Sequence, residues 1–143
     1  MFSWWKSRPS VVEGRRDLPS VGTLLTLSLP DAGGAMHPDA IGDRLMRFAE
    51  RPKPYVAVLV HLSGRDYLFS SLDLTGLVMA GIDQETRRLL PCAVVAVGRA
   101  EEHLRQLLKI CQLDRLDHLI VAPSETDALQ AIERFAAKAH VTD

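Results

Sequence analysis

Long apolar runs and unbalanced charge are both missing from this chain of 143 residues. No run approaches the roughly 18 apolar residues of a membrane-spanning helix, and the N-terminus has no apolar signal-peptide core. The formal net charge is −1 without long basic runs, which argues against nucleic acid as a partner. These absences predict a soluble, cytoplasmic protein without an integral membrane segment, whose partner is a protein or a small molecule.

Motifs for cofactors and metals are also missing. No glycine-rich phosphate loop follows a strand and no Walker-type lysine is present, so we predict no nucleotide cofactor. The five histidines are scattered without metal-ligand spacing, and we predict no metal site. The two cysteines, Cys92 and Cys111, lie in apolar patterns and are predicted to be buried, reduced thiols.

The sequence gives little support to an enzyme. A hydrolytic triad would use Ser70 or Ser71 as the nucleophile, His61 as the base and Asp66 as the orienting acid. The Gly-x-Ser-x-Gly pattern that exposes a hydrolase serine is absent, because leucines stand at the glycine positions. We therefore predict a protein that is not an enzyme and has no catalytic residues.

Strand and helix patterns alternate along most of the chain. GTLLTLSL, from Gly22, has the period of a half-buried strand near a sheet edge, whereas YVAVLVHL, AVVAV and LIVA are apolar throughout, as in strands covered on both faces. Amphipathic helical patterns separate these strands, and the last helix begins where Ser124 and Asp127 can form a capping box. The order β-α-β-α-β-α-β-α predicts one α/β domain with a mixed, mostly parallel sheet and helices packed on it.

The predicted domain spans residues 20–140. The first nineteen residues combine Pro, Gly and scattered Arg without a sustained period, and they are predicted to form an N-terminal tail. Trp4 and Trp5 in this tail leave two alternatives open, contact with a partner or a membrane surface and packing on the domain itself.

Two adjacent serines stand at a predicted helix start in the stretch YLFSSLDLTGL. Ser70 fits the N-cap position, with Asp73 three residues later as its capping partner. Ser71 then lies in the first turn, at the carboxyl end of the sheet, where open α/β folds place their sites. A phosphate on Ser71 would meet backbone N–H groups at the positive end of the helix dipole and would lie near Asp73 at an exposed helix start. Two ordinary hydroxyls, one of them a cap, also fit the local sequence.

Two longer segments carry a family resemblance. HLSGRDYLFSSLDLTGL is similar to a strand with a "DLSG"-like end followed by an Asp-Ser-Ser-Gly-Leu helix start, and VVAVGRAEEHLRQLLKICQLDRLDHLIVAPSETDAL to the strand, helix, Leu-Asp-Arg-Leu turn, strand and helix that follow. From about Gly22 to Ile132 the chain thus resembles STAS domains, the family of the bacterial anti-sigma-factor antagonists. Ser70 stands at the family's Asp, Asp73 at its Gly, and Phe69 is an extra residue.

The resemblance implies a regulatory, non-enzymatic domain that takes part in partner switching and the regulation of transcription. Its partner would be an anti-sigma factor or a serine kinase, and phosphorylation of Ser71, or of Ser70 if the alignment shifts by one residue, would weaken binding. Leu72 falls outside the inward stripe of the helix and is predicted either to contact the partner or to cover the sheet. The predicted partner-binding residues are Asp31, Ser63, Gly64, Asp66, Ser70, Ser71, Leu72 and Asp73.

Two alternative functions remain open at this point. The first is a STAS-like scaffold or dimerisation module that works without phosphorylation, including as a homodimer. The second is a ligand-binding or hydrolytic α/β domain, which requires a concave pocket near Ser71, His61 and Asp66.

Overall fold

A five-stranded sheet and four helices make up the part of the chain that the computed structural model describes, residues 11–29, 40–48, 54–63, 67–83 and 86–142. The strands are β1 Val12–Leu18, β2 Gly22–Leu29, β3 Ala57–Leu62, β4 Cys92–Val95 and β5 Leu119–Ala122. The helices are α1 Ala40–Met46, α2 Ser71–Ala80, α3 Gly98–Ile110 and α4 Glu125–Thr142. The strands lie in the order β1-β2-β3-β4-β5, with β1 antiparallel to β2 and all other pairs parallel. The predicted α/β fold with a mixed, mostly parallel sheet is confirmed.

The helices are divided unequally between the two faces of the sheet. Each parallel connection moves one strand in the same direction, and right-handed crossovers therefore place α1, α2 and α3 on one face. Val58 and Val60 of β3 pack into the buried cluster on that face. Ala57 and Leu59 point to the other face and pack with Ile132 of α4. β3 is thus covered on both faces, as its continuous apolar sequence predicts.

β1 is the edge strand, and its position corrects the prediction that residues 1–19 form a tail. It pairs along its length with β2, from Val12 opposite Ser28 to Leu18 opposite Gly22, so residues 12–18 belong to the sheet and not to a tail. β2 is the second strand of the sheet, near its edge as predicted, and Leu24 is buried in addition to the alternating leucines. β1 was not predicted because four of the seven residues in VEGRRDL are charged. A solvent-exposed edge strand tolerates such charges.

The other predictions for the N-terminal region are not tested. Trp4 and Trp5 lie outside the described residues. Apart from the inclusion of β1 in the sheet, the predicted boundaries of the domain stay predictions.

The start of α4 confirms the Ser124 half of its predicted capping box. The Ser124 hydroxyl accepts a hydrogen bond from the Asp127 backbone N–H at 3.2 Å. The helix is 18 residues long and buries Ala128 and Ile132 against the sheet. None of the described helices combines the length and the apolar character that crossing a membrane requires.

The two cysteines differ in environment. Cys92 is buried in β4, and this burial raises the pKa of its thiol to about 12. Cys111 is exposed, so the prediction that it is buried was wrong. α3 ends at Ile110, one residue before Cys111, and the left-handed backbone of Gln112 (φ 59°) closes the helix end. The apolar stripe of α3 therefore does not extend to Cys111.

His118 is a buried histidine whose ring nitrogens have no hydrogen-bond partner among the described residues. The ring packs on the end of α2, since a Cβ atom at Gly81 would lie 2.7 Å from it. Burial lowers the pKa of His118 below its ordinary value of 6.5, partly offset by the negative charge of Asp117. Below pH 6.5 the imidazole of His118 therefore binds a proton more readily in the unfolded chain than in the folded protein. The folded state loses stability as the pH falls from 6.5 toward the lowered pKa.

We expect His118→Leu to remove this part of the acid sensitivity. At pH 8 the variant should match the wild-type free energy of unfolding or exceed it by up to about 2 kcal/mol, because two buried polar atoms without partners are replaced by apolar ones. Between pH 6.5 and pH 5, the wild type should lose more stability than the variant. Urea unfolding of both proteins across this range measures the difference. Equal losses would contradict the assignment to His118.

Candidate functional site

A capping box begins α2. The Ser70 hydroxyl accepts a hydrogen bond from the Asp73 backbone N–H, and the Asp73 carboxylate accepts one from the Ser70 backbone N–H, both at 3.1 Å. Ser70 has the extended backbone of an N-cap residue (φ −97°, ψ 172°). The predicted cap is confirmed, and it occupies the Ser70 hydroxyl as an acceptor.

The Asp73 carboxylate also joins three separate segments. Asp73 is fully buried, with an exposed fraction of 0%. Its Oδ1 accepts a hydrogen bond from the backbone N–H of Gly42, in the first turn of α1, at 2.7 Å. Its Oδ2 accepts one from the Tyr67 hydroxyl at 2.8 Å, in addition to the bond from Ser70. One carboxylate thus stabilises the N-terminal ends of both α1 and α2, where backbone N–H groups are otherwise unpaired.

This geometry corrects the prediction that Asp73 is a partner-binding residue, because its side chain is buried. Its side chain points into the protein and is occupied by three donors. The sequence pattern correctly predicted the capping partner, but it did not predict that the same carboxylate is buried under α1.

The segment before Ser70 alternates between buried and exposed side chains. Tyr67 and Phe69 are buried, and their rings meet edge to face with centroids 4.9 Å apart. Phe69 also stacks on His103 of α3, and its carbonyl oxygen lies 3.1 Å from His103 Nε2. Leu68, between the two aromatic residues, is 63% exposed. The backbone leading to Ser71 is therefore held from both sides, while Leu68 is presented to solvent.

Ser71 is the exposed first residue of α2. Its carbonyl oxygen accepts a hydrogen bond from the Thr75 hydroxyl at 2.9 Å, in the next turn of the helix. No residue in the described part of the chain is hydrogen-bonded to the Ser71 hydroxyl, whereas the Ser70 hydroxyl caps the helix. Of the two serines, Ser71 therefore has the more accessible hydroxyl.

The remaining predicted partner-binding residues are only partly described. Ser63 is exposed, and its backbone N–H donates to the Leu29 carbonyl at 3.1 Å, just beyond the carboxyl ends of β2 and β3. Leu72 is half-buried, which fits either of its two predicted roles. Asp31, Gly64 and Asp66 lie outside the described residues.

The structure does not bring His61 and α2 to the same face of the sheet. Side chains alternate along β3, and the neighbours of His61 on either side, Val60 and Leu62, pack on the α1–α3 face. His61 is therefore directed to the α4 face, whereas Ser71 begins a helix on the opposite face. In the described residues, no three His, Cys, Asp or Glu side chains are grouped as metal ligands.

A cleft of about 310 Å³ lies at the other end of the sheet from Ser71. Its lining includes Val21, Val56 and Pro91, which directly precede β2, β3 and β4 and so mark the amino ends of the parallel strands. α2 begins at the carboxyl ends of these strands. The cleft and the Ser71 helix start are therefore separate features of the molecule.

Comparisons with known proteins add no relative. The chain matches no protein-family model, and no curated protein and no solved structure was found to be similar to it. The fold is that of an α/β domain. The candidate site is an exposed serine at a helix start that a buried carboxylate holds in place. The chemistry of this helix start is the basis for assigning a function.

Three residues of this site were missed at the sequence level: Gly42, Tyr67 and His103. Tyr67 and Phe69 flank Leu68, and this alternation in the sequence is a signal for an extended segment with one buried side. Gly42 and His103 are 31 and 34 residues distant from their partners, so no local pattern predicts these contacts.

Proposed function

We propose that this chain is a STAS-like regulatory domain that binds an anti-sigma factor or a serine kinase, with phosphorylation of Ser71 as the switch that weakens binding. The observation that carries the proposal is the exposed Ser71 hydroxyl on a rigidly held helix start. A protein that presents one modifiable hydroxyl on a fixed backbone can be recognised in one state and rejected in the other.

The order of the elements is compatible with this proposal. The first segment that resembles STAS domains covers the end of β3 and most of α2. The second segment covers β4, α3, β5 and the start of α4. The strands of these segments, β3, β4 and β5, are neighbours in one sheet. α2 starts at the carboxyl end of the parallel strands. In open α/β sheets this end is the usual location of functional sites.

The capping geometry favours Ser71 over Ser70 as the modified residue. A phosphate on Ser70 would have to replace the hydrogen bond that the Ser70 hydroxyl accepts from the Asp73 N–H, and it would lie beside the buried Asp73 carboxylate. A phosphate on Ser71 leaves the capping box intact. It gains the favourable field of the helix N-terminus, which accommodates negative charge.

The effect of the phosphate on binding follows from charge and hydration. Phosphorylation adds about −1.5 to −2 charge at neutral pH. Leu68 lies exposed on the same segment and provides apolar surface for a partner close to Ser71. Desolvating a dianion beside such a contact costs several times the roughly 1.4 kcal/mol that changes affinity tenfold, unless the partner supplies a cation.

Mass spectrometry tests the switch directly. The protein is purified from its own cells under several growth and stress conditions, and its intact mass is compared before and after phosphatase treatment. We expect one phosphate, mapped by peptide sequencing to Ser71 and lost in a Ser71→Ala variant. An unmodified chain under all conditions would instead support the scaffold or dimerisation function that needs no phosphorylation.

Substitutions at the two serines should separate binding from stability. Ser71→Asp should weaken partner binding at least tenfold while changing the free energy of unfolding by less than about 0.5 kcal/mol, because a first-turn carboxylate suits the helix dipole. Ser70→Ala should cost about 1 kcal/mol of stability through the lost cap. Binding is measured by calorimetry with the partner that co-purifies with the wild type. Unchanged affinity in Ser71→Asp would mean that Ser71 is not the switch.

A further inference from the structure

The outer edge of β1 is open in the described structure. β1 ends the strand order, and β2 is its neighbour on the inner side. Its side chains are mostly exposed, and Val12 is 59% exposed. An edge strand carries unpaired backbone N–H and C=O groups that can form a ladder with another strand.

The charges on β1 do not repel a second copy. Glu13 and Arg15 form an ion pair within the strand at 3.8 Å, and Arg16 pairs with Glu125 of α4. The Asp17 carboxylate accepts a hydrogen bond from the Thr23 hydroxyl at 3.1 Å. Two positive and two negative side chains leave the strand with no net charge.

We propose that two copies of this chain associate through β1, paired antiparallel around a twofold axis at Gly14, so that the two sheets become one continuous sheet. The interface does not involve Ser71 or α2, and it is therefore independent of the proposed switch.

Symmetry restricts the possible registers. A twofold axis perpendicular to the sheet keeps every side chain on its own face, and residues directly opposite each other in an antiparallel pair also share a face. An axis between two residues would place neighbours in the sequence opposite each other, and these point to opposite faces. The axis must therefore pass through a residue, which then lies opposite its own copy. In the middle of β1 these residues are Glu13, Gly14, Arg15, Arg16 and Asp17.

Only one of these registers avoids placing like charges directly opposite each other. An axis at Glu13, Arg15, Arg16 or Asp17 places that charge against its own copy, which is destabilising in a cross-strand pair. An axis at Gly14 places no side chain against its copy. The sequence of β1 therefore selects Gly14 as the centre.

The Gly14 register is also favourable at the neighbouring positions. Glu13 of each copy lies opposite Arg15 of the other, so two opposite-charge pairs form by symmetry. Val12 lies opposite Arg16, whose aliphatic stem can cover the exposed valine. The contact is confined to one short strand on each side, and it falls in the class of small interfaces that dissociate on dilution.

Analytical ultracentrifugation over a concentration series tests the dimer with the full-length chain. We expect a reversible monomer–dimer equilibrium. Glu13→Arg should weaken dimerisation at least tenfold, because two attractive cross-strand pairs become repulsive. The double variant Glu13→Arg with Arg15→Glu should restore it, since the opposite-charge pairs are reversed but retained. A chain that stays monomeric up to about 500 μM would overturn the proposal, because a dimer with a Kd in the micromolar range would be largely formed at that concentration.

Disulfide trapping tests the register itself. In a Cys111→Ser background, Gly14→Cys should form an intermolecular disulfide under mild oxidation, because the two residues face each other across the axis within the usual distance of a disulfide. The contact of a Cβ atom at Gly14 with the Thr26 hydroxyl, at 3.0 Å, involves only a side-chain tip. Asp17→Cys is the matched control, because the two copies of residue 17 lie about 20 Å apart in this register. Cross-linking of Asp17→Cys at the rate of Gly14→Cys would overturn the register, and circular dichroism checks that all variants fold.

Discussion

Replacing Asp73 with alanine should destabilise the folded protein by about 4 kcal/mol. The substitution removes the shared acceptor of three donors, the Gly42 and Ser70 backbone N–H groups and the Tyr67 hydroxyl. Asp73 is fully buried, so water cannot replace the carboxylate without opening the contact between α1 and α2. Each buried donor that is left unpaired costs about 1–3 kcal/mol. Urea denaturation followed by circular dichroism measures the change.

Asp127 offers a matched control for Asp73. It occupies the same position relative to Ser124 at the start of α4, and its N–H bonds to the Ser124 hydroxyl, but it is exposed. Asp127→Ala should cost less than about 1 kcal/mol, because its loss leaves no buried donor unpaired. A similar loss in both variants would show that Asp73 acts only as a capping residue.

Gly42→Ala should destabilise the protein by about 3 kcal/mol, although alanine is the better helix former by about 1 kcal/mol. A Cβ atom at Gly42 would lie 2.4 Å from the Leu72 carbonyl oxygen and 2.7 Å from the Asp73 backbone nitrogen. Both atoms belong to the backbone of α2, which cannot move without disturbing its own capping box. The change therefore separates α1 from α2 and strains the bond from Gly42 to Asp73. Thermal and urea unfolding measure the loss.

Asp43→Ala is the control at the neighbouring position of α1. Asp43 is exposed, and the same replacement by alanine should change the free energy of unfolding by no more than about 0.5 kcal/mol. Gly76→Ala tests the same contact between α1 and α2 from the α2 side, because a Cβ atom at Gly76 would lie 2.9 Å from Gly42 Cα. If Gly42→Ala proved neutral or stabilising, the close approach of the two helices would not be a required feature of the fold.

These two predictions bear on the proposed function because they concern the support of Ser71. Asp73 holds the start of α2 against α1, and Phe69 is held by His103 of α3. A switch that is read by a partner needs its helix start in one position, since every additional conformation lowers the fraction that is competent to bind. Variants that loosen these contacts should therefore lower partner affinity even without a charge on Ser71.

Much of the fold could be predicted from periodicity alone. Four strands and four helices were placed in the right order, and the caps at Ser70 and Ser124 were predicted correctly, because capping depends on residues only three positions apart. β1 was missed because a polar edge strand lacks the apolar alternation of a covered one. The burial of Cys111 was predicted wrongly because the helix pattern continued past the true end of α3.

The chain by itself determined the alternation of strands and helices and the position of the two serines at a helix start, since both follow from local spacing. Only the tertiary structure decided that Asp73 is buried beneath α1. It also decided that His61 and α2 lie on opposite sides of the sheet. The physical reason is distance along the chain. Caps and periodic faces involve neighbouring residues, whereas Gly42 and His103 reach their partners only after the crossovers have packed α1, α2 and α3 together on one face.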